Sequence, residues 1–303
     1  MPAISTRPVK TASQVGSLLR CWCGGDRWES LFHARRGGLA RCTSCGCYQT
    51  DPPPLTDSQQ SEEFYTRYYA NLEMNARPIA RPIQSRTAGF WRVAEQFASL
   101  QRSLTTVADI GCGDGHLCAE LKGAGWSDVT GVELSAVRVA RARRFYPDIR
   151  FYDRPLPQTA MKQGSFDLIV SESTIEHLPE PLTVLREIRP YLRPGGRIVV
   201  TTPNLESGHF RLLGRRWTGM LAPHAHIFMF TPSSLKLALE QAGYSVEITG
   251  SFADEPYTLS KWTRRLLSGD IKGAIWRAHQ ELGTLYGRFI GQRAMLYAVG
   301  RVN

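Results

Sequence analysis

A glycine-rich turn between two acidic residues is the part of this sequence best suited to bind a small molecule. The run Val107-Ala108-Asp109-Ile110-Gly111-Cys112-Gly113-Asp114-Gly115 joins a short apolar segment to glycines at alternate positions. Glycine allows a left-handed backbone and a close approach to a ligand, so the run predicts a buried strand, a tight turn and a helix starting near His116. A second apolar segment ends at Glu133, where a carboxylate can accept hydrogen bonds from a ribose diol. The pattern predicts a nucleoside-binding crevice, and by itself it fits a nicotinamide cofactor as well.

Five of the seven cysteines lie between residues 21 and 47, in a spacing typical of a metal site. Cys21 and Cys23 form the first close pair and Cys42 and Cys45 the second, with Cys47 as an alternative to Cys45. Four thiolates at this separation fit one tetrahedral zinc ion with a structural role. Disulfides are less favoured in a chain without an export signal, and free cysteines are the remaining alternative.

Composition and charge narrow the class of protein. The chain is 42% hydrophobic and 21% charged, which is ordinary for a soluble protein, and its apolar runs are too short to cross a bilayer. The N-terminus lacks the apolar core of a signal peptide, which predicts a cytoplasmic location. The net charge of +10 is concentrated in residues 256–303, which carry eight Lys or Arg and two Asp or Glu. Such a basic region favours an anionic partner, and a solvated surface is the alternative.

Apolar and polar patterns divide the chain into a front module and a larger α/β domain. We predict a flexible tail over 1–15, a zinc-ribbon-like module over 16–50, a Pro-rich linker over 51–60 and the main domain over 61–303. Helical caps are predicted as insertions in this domain at 61–100, 204–230 and 256–290. The last of these has the pattern of two amphipathic helices, which could cap the site, form a dimer face or contact a membrane peripherally.

Strands and helices alternate through the main domain. Alternating strands and helices predict a doubly wound, mostly parallel, seven-stranded Rossmann-like sheet, with an antiparallel last strand. The strands are expected near 106–110, 129–133, 149–152, 166–171, 197–202, 244–249 and 293–299. The helices between them are expected near 115–124, 135–145, 181–191 and 232–242.

Residues 107–205 resemble class I S-adenosylmethionine (SAM) methyltransferases. The resemblance rests on the glycine-rich turn and on five further ordered motifs: Gly131-Val132-Glu133-Leu134-Ser135, Ser165-Phe166-Asp167-Leu168-Ile169-Val170, Ile175-Glu176-His177-Leu178, Leu192-Arg193-Pro194-Gly195-Gly196-Arg197 and Thr202-Pro203-Asn204. The run Pro223-His224-Ala225-His226-Ile227-Phe228 is similar to a subgroup related to ubiquinone-biosynthesis O-methyltransferases. A zinc-ribbon front end on such a domain resembles bacterial sugar and secondary-metabolite enzymes.

The resemblance implies SAM as cofactor and assigns roles to single residues. Glu133 would hold the ribose hydroxyls, Leu134 would lie against the adenine, and Asp153 would contact the adenine edge. Ser171 and Glu172 would face the sulfonium region. The pocket for the methionine part would be formed by the first acid and the turn: Asp109, Gly111, Cys112, Gly113 and Gly115.

The resemblance also implies two candidate general bases, His177 and His226. An imidazole can accept a proton from a substrate hydroxyl, and Glu176 could set the tautomer of His177. The alternative is that these residues only brace the loops that carry them. Some relatives bind a divalent metal through a carboxylate three residues before the Glu-His pair; Ser173 occupies that position here, which argues against a magnesium site.

These features predict a SAM-dependent methyltransferase acting on a hydroxyl of a sugar, glycolipid precursor or secondary metabolite. One alternative is a methyltransferase directed at nucleic acid, although the basic residues alternate with apolar ones and no RNA-binding module is visible. The other is a non-catalytic SAM-binding protein that uses the zinc module to dock a partner. The acceptor would be a small molecule or glycan, and the sequence does not indicate an oligomeric state.

Overall fold

The computed structural model describes residues 9–11, 18–32, 38–51, 105–214, 217, 225–252 and 267–303. Most of the predicted tail and linker, the cap over 61–100 and the first part of the 256–290 insertion lie outside these ranges. The domain boundaries placed there stay predictions.

The described residues form twelve strands and six α-helices. The strands are β1 Val9–Thr11, β2 Arg27–Phe32, β3 Gly38–Cys42, β4 Tyr48–Asp51, β5 Thr106–Ile110, β6 Asp128–Val132, β7 Arg150–Tyr152, β8 Phe166–Glu172, β9 Leu192–Pro203, β10 Phe228–Met229, β11 Ser245–Phe252 and β12 Met295–Arg301. The helices are α1 His116–Gly123, α2 Ala136–Phe145, α3 Pro181–Ile188, α4 Gly208–Leu213, α5 Pro232–Gln241 and α6 Ile271–Phe289.

Seven strands form the main sheet, in the order β11-β12-β9-β8-β5-β6-β7. Strands β5 to β9 pair in parallel, and β12 pairs antiparallel with both β9 and β11. From β5 the chain runs outward to β6 and β7 and then crosses back to form β8 on the other side of β5. This reversal of strand order opens a crevice beyond the carboxyl ends of β5 and β8. The predicted fold class is therefore confirmed.

The strands at the centre of this sheet are buried on both faces. Val107, Leu168, Ile169, Val170 and Ile198 have no exposed surface, as expected for parallel strands covered by helices on both sides. Each buried Leu or Ile contributes roughly 1.5–3 kcal/mol relative to exposure, so this layer forms a rigid support for the loops at its edge.

The front strands belong to a second sheet that reaches into the main domain. Its order is β1-β2-β3-β4-β10, and the last pair joins Tyr48 of β4 to Met229 of β10. The ring of Trp22 stacks on Phe230 with a centroid distance of 6.0 Å, and one apolar core contains both rings. The cysteine-rich module is thus packed against the main domain through residues 228–230.

Helix α6 is the described part of the predicted 256–290 insertion. It packs on α4 through glycines, since a side chain at Gly208 would overlap the backbone of Gly287 and one at Gly283 would overlap His209. The second predicted amphipathic helix lies outside the described residues. None of the helices described in this structure is both long enough and apolar enough to span a membrane.

Candidate functional site

The glycine-rich turn connects β5 to α1 at the open edge of the sheet. Gly111, Gly113 and Gly115 have φ values of 79°, 58° and 79°, a left-handed conformation that favours glycine. A side chain at Gly111 would overlap Thr174, and one at Gly113 would overlap the guanidinium of Arg138. The turn therefore needs glycine both for its backbone and for its close neighbours.

Glu133 follows β6 and lies directly beside this turn. Its carboxylate accepts hydrogen bonds from the backbone N–H of Gly113 at 3.0 Å and of Ser135 at 2.9 Å. The Nη1 of Arg138 lies 3.4 Å from the same carboxylate. Leu134, the next residue, is 56% exposed although it is apolar. A fixed carboxylate next to an exposed apolar surface suits a ribose diol and the face of a base.

Asp153 lies after β7, at the same edge of the sheet. Its carboxylate is 3.1 Å from Nη2 of Arg154 and 3.6 Å from Nη1 of Arg143. The hydrogen bonds from Arg154 lower the pKa of Asp153. The side chain is therefore engaged with two arginines, and its contact with adenine stays a prediction.

The side chain of Asp109, near the end of β5, is buried next to the turn in an apolar environment. Only 2% of it is exposed, and burial raises the pKa of its carboxyl to about 7. The thiol of Cys118 donates to its Oδ2 at 3.6 Å, and Cys112 is buried nearby in the turn itself. Ionising a buried carboxyl group lowers the free energy of unfolding, so the presence of Asp109 here suggests a role other than folding.

We expect Asp109→Asn to stabilise the ligand-free protein at pH 8. The carboxyl ionises near pH 4 in the unfolded chain but only near pH 7 in the folded protein, so folding stability falls as pH rises between these values. An amide does not titrate, so thermal melts should show a gain of up to about 4 kcal/mol at pH 8 and little gain at pH 4. The exposed Asp148 gives the control Asp148→Asn. Equal effects of both variants at both pH values would contradict this assignment.

The end of β8 forms the other wall of the crevice. Ser171 is buried and Glu172 half-buried, and the chain then turns through Ser173, which has a positive φ of 49°. The hydroxyl of Thr174 donates to the carbonyl of Glu172 at 3.1 Å. This tight turn leads into a short 3-10 turn, Ile175–His177.

Glu176, His177 and His226 meet at this wall. Glu176 is 1% exposed, accepts a hydrogen bond from the hydroxyl of Thr202 at 3.0 Å, and has its pKa raised by burial. Its Oε1 lies 4.0 Å from Nε2 of His177. The ring centroids of His177 and His226 are 4.8 Å apart in an edge-to-face arrangement. The structure thus brings together the three residues predicted for catalysis from two distant parts of the sequence.

The tautomer of His177 follows from its backbone partner. Nδ1 lies 2.9 Å from the carbonyl oxygen of Ala225, which can only accept, so Nδ1 carries the hydrogen. In the neutral ring Nε2 therefore carries the lone pair and can accept a proton. His177 is also the more open of the two, since its side chain is 28% exposed and His226 is 8% exposed.

The same three side chains offer another chemistry. Each has a ligand atom within 4.8 Å of the other two, and two imidazoles with one carboxylate can hold a divalent transition metal. Ser173 offers no carboxylate to this set. Proton transfer and cation binding are therefore the two chemistries that this cluster supports.

The four predicted zinc ligands also lie together. The Sγ atoms of Cys21 and Cys45 are 3.6 Å apart, those of Cys23 and Cys42 are 3.8 Å apart, and all four lie within 4.8 Å of one another. Metal–sulfur bonds of about 2.3 Å in a tetrahedron place sulfurs roughly 3.8 Å apart, so the spacing fits a single zinc ion. All seven cysteines are free, and the thiol of Cys47 instead donates to the carbonyl of Met229 at 3.2 Å.

Sequence reasoning missed three residues that shape the site. Thr202 lies in a motif that was noticed only as a family marker, although a hydroxyl at a strand end is a common partner for a buried acid. Ala225 acts through its carbonyl, which no side-chain pattern reveals. Arg138 is the third missed residue: its guanidinium lies against the turn between Glu133 and Asp114, with Nε 3.6 Å from Oδ1 of Asp114. Its position three residues after the helix cap Ser135 was the available signal.

Comparison with known proteins gives a family match over more than half of the chain. Residues 83–248 match the family described as "Methyltransferase domain". The ubiquinone biosynthesis O-methyltransferase of Bordetella avium is 31% identical over 147 residues, 45% of this chain and 61% of that protein. The protein of the same name from Xanthomonas axonopodis pv. citri is 28% identical over 170 residues, 53% of this chain and 71% of that protein. The chain thus spans about three-fifths of the length of the Bordetella relative.

Solved structures share the fold at low identity. Burkholderia thailandensis 1,6-didemethyltoxoflavin-N1-methyltransferase, solved with its substrate and S-adenosylhomocysteine, has a TM-score of 0.52 and 16% identity, covering 91% of this chain and 99% of that one. The cyclase SpnF has a TM-score of 0.53 and 19% identity, covering 82% of this chain and 98% of that one. Because a cyclase is among these neighbours, the fold alone does not determine the reaction.

Proposed function

Since the chain belongs to the methyltransferase domain family and is a SAM-dependent methyltransferase, we propose that its acceptor is a hydroxyl group of a small molecule or glycan. The observation that carries this proposal is the hydrogen bond from Nδ1 of His177 to the carbonyl of Ala225, which leaves Nε2 able to take a proton. Hydroxyl acceptors need such a base, and the relatives named above are O-methyltransferases.

The residues around the crevice have distinct roles in this proposal. SAM supplies a methyl group bonded to a positively charged sulfur. Glu133 accepts hydrogen bonds from the ribose, Leu134 covers the adenine, and the glycine turn above Asp109 admits the methionine part. Ser171 and Glu172 line the wall next to the reacting sulfur. Holding donor and acceptor in line lowers the barrier by itself, and the base adds to it.

His177 is the base in this scheme, and its neighbours keep it in place. The carbonyl of Ala225 fixes the ring orientation, and the edge of the His226 ring packs against it. The carboxyl group of the buried Glu176, whose Oε1 lies 4.0 Å from Nε2 of His177, can stabilise the imidazolium that forms when the substrate proton is taken.

We also propose that Cys21, Cys23, Cys42 and Cys45 hold a structural zinc ion. The support is the set of sulfur–sulfur distances described above together with the small size of the front strands, most of whose buried side chains belong to a core shared with the main domain. Four protein ligands close the site, so the metal stabilises the fold and takes no part in methyl transfer.

Isothermal titration with SAM tests the cofactor assignment directly. We expect Glu133→Gln to weaken SAM binding about 10- to 100-fold, because hydrogen bonds to a charged group are worth roughly 1.5–3 kcal/mol. The exposed Glu187 gives the matched control Glu187→Gln, which should bind SAM as the unaltered protein does. Equal binding by all three proteins would remove the ribose role of Glu133.

A second measurement addresses the acceptor. Radiolabelled methyl groups should appear on hydroxylated small molecules or glycans from a host extract and be stable to conditions that cleave esters. Label recovered in RNA would support the nucleic-acid alternative instead. Tight SAM binding with no transfer to any fraction would indicate a non-catalytic SAM-binding protein.

A further inference from the structure

Large apolar side chains are exposed along one face of α6. Leu267 just before the helix is 88% exposed and Phe289 at its end is 86% exposed. Between them, four exposed aliphatic residues recur at intervals of three, four and seven, which places them on one side of a helix, and Trp276 and Tyr286 are exposed next to this side. We call this set the α6 stripe: Leu267, Ile271, Ile275, Leu282, Leu285 and Phe289.

The opposite face of α6 is fixed to the protein. Ala274 is buried, and Gly283 and Gly287 allow α6 to lie in backbone contact with α4. The cap Asp270 accepts a hydrogen bond from the N–H of Gly273 at 2.9 Å, which holds the first turn. The helix is therefore anchored on one side while its apolar stripe points away from the core.

Among the described side chains within α6, the exposed charges are basic. Lys272 and Arg288 are exposed at the two ends of α6, whereas Glu281, the acidic residue within the helix, is buried, and the exposed carboxylate of the N-cap Asp270 is held by the N–H of Gly273. The helix of 19 residues is about 28 Å long, so these cations lie along its length with the apolar side chains between them. An apolar stripe flanked by cations is the pattern of a helix that lies in the plane of an anionic membrane surface.

We propose that the α6 stripe docks this protein on the surface of an anionic lipid membrane. The apolar side chains would enter the boundary between headgroups and acyl chains, and Lys272 and Arg288 would contact the headgroups. A second copy of the chain is a poorer occupant of this face. A parallel pair of α6 helices would place each of these cations near its own counterpart, and an antiparallel pair would place Lys272 near Arg288 of the other copy, so either arrangement brings like charges together.

The position of α6 connects this surface to the acceptor. Its partner α4 follows closely after Asn204, which bridges to Phe230 near the site. If the proposed function holds, the acceptor hydroxyl belongs to a molecule with a lipophilic part that enters from the membrane. This step rests on the proposed function, whereas membrane binding itself does not.

Vesicle sedimentation tests membrane binding without any acceptor. The full chain should partition onto phosphatidylcholine vesicles containing one-third phosphatidylglycerol and hardly onto pure phosphatidylcholine. Phe289→Glu should lower the partition coefficient at least about tenfold, because it removes a large apolar side chain that would enter the membrane and adds a charge that the anionic lipids repel. The double variant Lys272→Gln, Arg288→Gln should lower it about 30-fold on anionic vesicles, from roughly 1 kcal/mol per cation.

The control is Phe145→Glu, an exposed aromatic residue on α2 outside the stripe. It should bind vesicles as the unaltered chain does, and SAM titration should show that all variants retain a folded cofactor site. Equal loss in Phe145→Glu and Phe289→Glu, or no preference for anionic vesicles, would overturn the proposal. So would light scattering that shows a dimer in solution which Phe289→Glu converts to a monomer, with no vesicle binding. SAM binding that persists in those cases leaves the proposed function standing.

Discussion

Replacing His177 with alanine should reduce kcat at least about 100-fold while SAM affinity changes by less than about twofold. The imidazole is held by Ala225, with the hydrogen on Nδ1 and the lone pair on Nε2, so its removal takes away the proton acceptor. Glu133 follows β6 and His177 follows β8, with β5 between these strands, so we expect loss of the imidazole to leave the ribose contact of Glu133 intact. Single-turnover methylation and SAM titration on the same preparation measure the two effects separately.

The neighbouring residues serve as controls for that experiment. His226→Ala removes a ring that packs on His177 and is itself nearly buried, so we expect a smaller loss of about 10-fold from misplacement. If His226→Ala loses more than His177→Ala, the roles of the two histidines are exchanged. If neither variant slows turnover, positioning alone accounts for catalysis. If turnover of metal-depleted enzyme returns only with added Mn²⁺ or Mg²⁺, the three residues hold a cation instead.

The positions of the glycine turn and of Glu133 in the fold were predictable from the sequence because their determinants are local. The glycines at alternate positions lie within one turn, and Glu133 directly follows the next strand, so the pattern predicted where both lie, while their contacts with a cofactor stay a prediction. Hydrophobic runs of the right length, such as those around Val107 and Leu168, gave the parallel strands. Each of these features depends on residues within about 25 positions of one another.

The wall of the crevice that holds Glu176, His177 and His226, the proposed catalytic wall, was less predictable because it depends on distant pairing. The contact between His177 and Ala225 joins residues 48 positions apart through a backbone carbonyl, which leaves no trace in side-chain spacing. The pairing of Tyr48 in β4 with Met229 in β10 likewise joins two strands that lie far apart in the sequence. The choice between Cys45 and Cys47 was open for the same reason: both follow Cys42 closely, and the hairpin alone turns Cys47 towards Met229.

The pairing of β4 with β10 connects the proposed zinc site to the segment that carries His226, although the four cysteines lie outside the crevice. The N–H of Thr50 in β4 donates to the carbonyl of Ile227 at 3.2 Å, and its hydroxyl donates to the carbonyl of His226 at 2.8 Å. These bonds position the segment that holds the ring of His177. The front sheet thus supports the catalytic wall, while Asp109 and Glu133 lie on β5 and after β6, which do not pair with it.

The double variant Cys23→Ser, Cys45→Ser should therefore lose its zinc and about 100-fold in kcat, with SAM affinity nearly unchanged. Structural zinc in small modules contributes about 10–16 kcal/mol of binding free energy, so the front strands should unfold without it. A displacement of about 1 Å in the wall is enough to cost 100-fold in rate. Metal analysis measures the zinc content, turnover assays measure kcat, and titration with SAM measures the affinity. Cys47→Ala is the matched control, because Cys47 lies outside the cluster, and it should retain one zinc per chain. Full turnover in a zinc-free variant would show that the catalytic wall holds its shape without the front sheet.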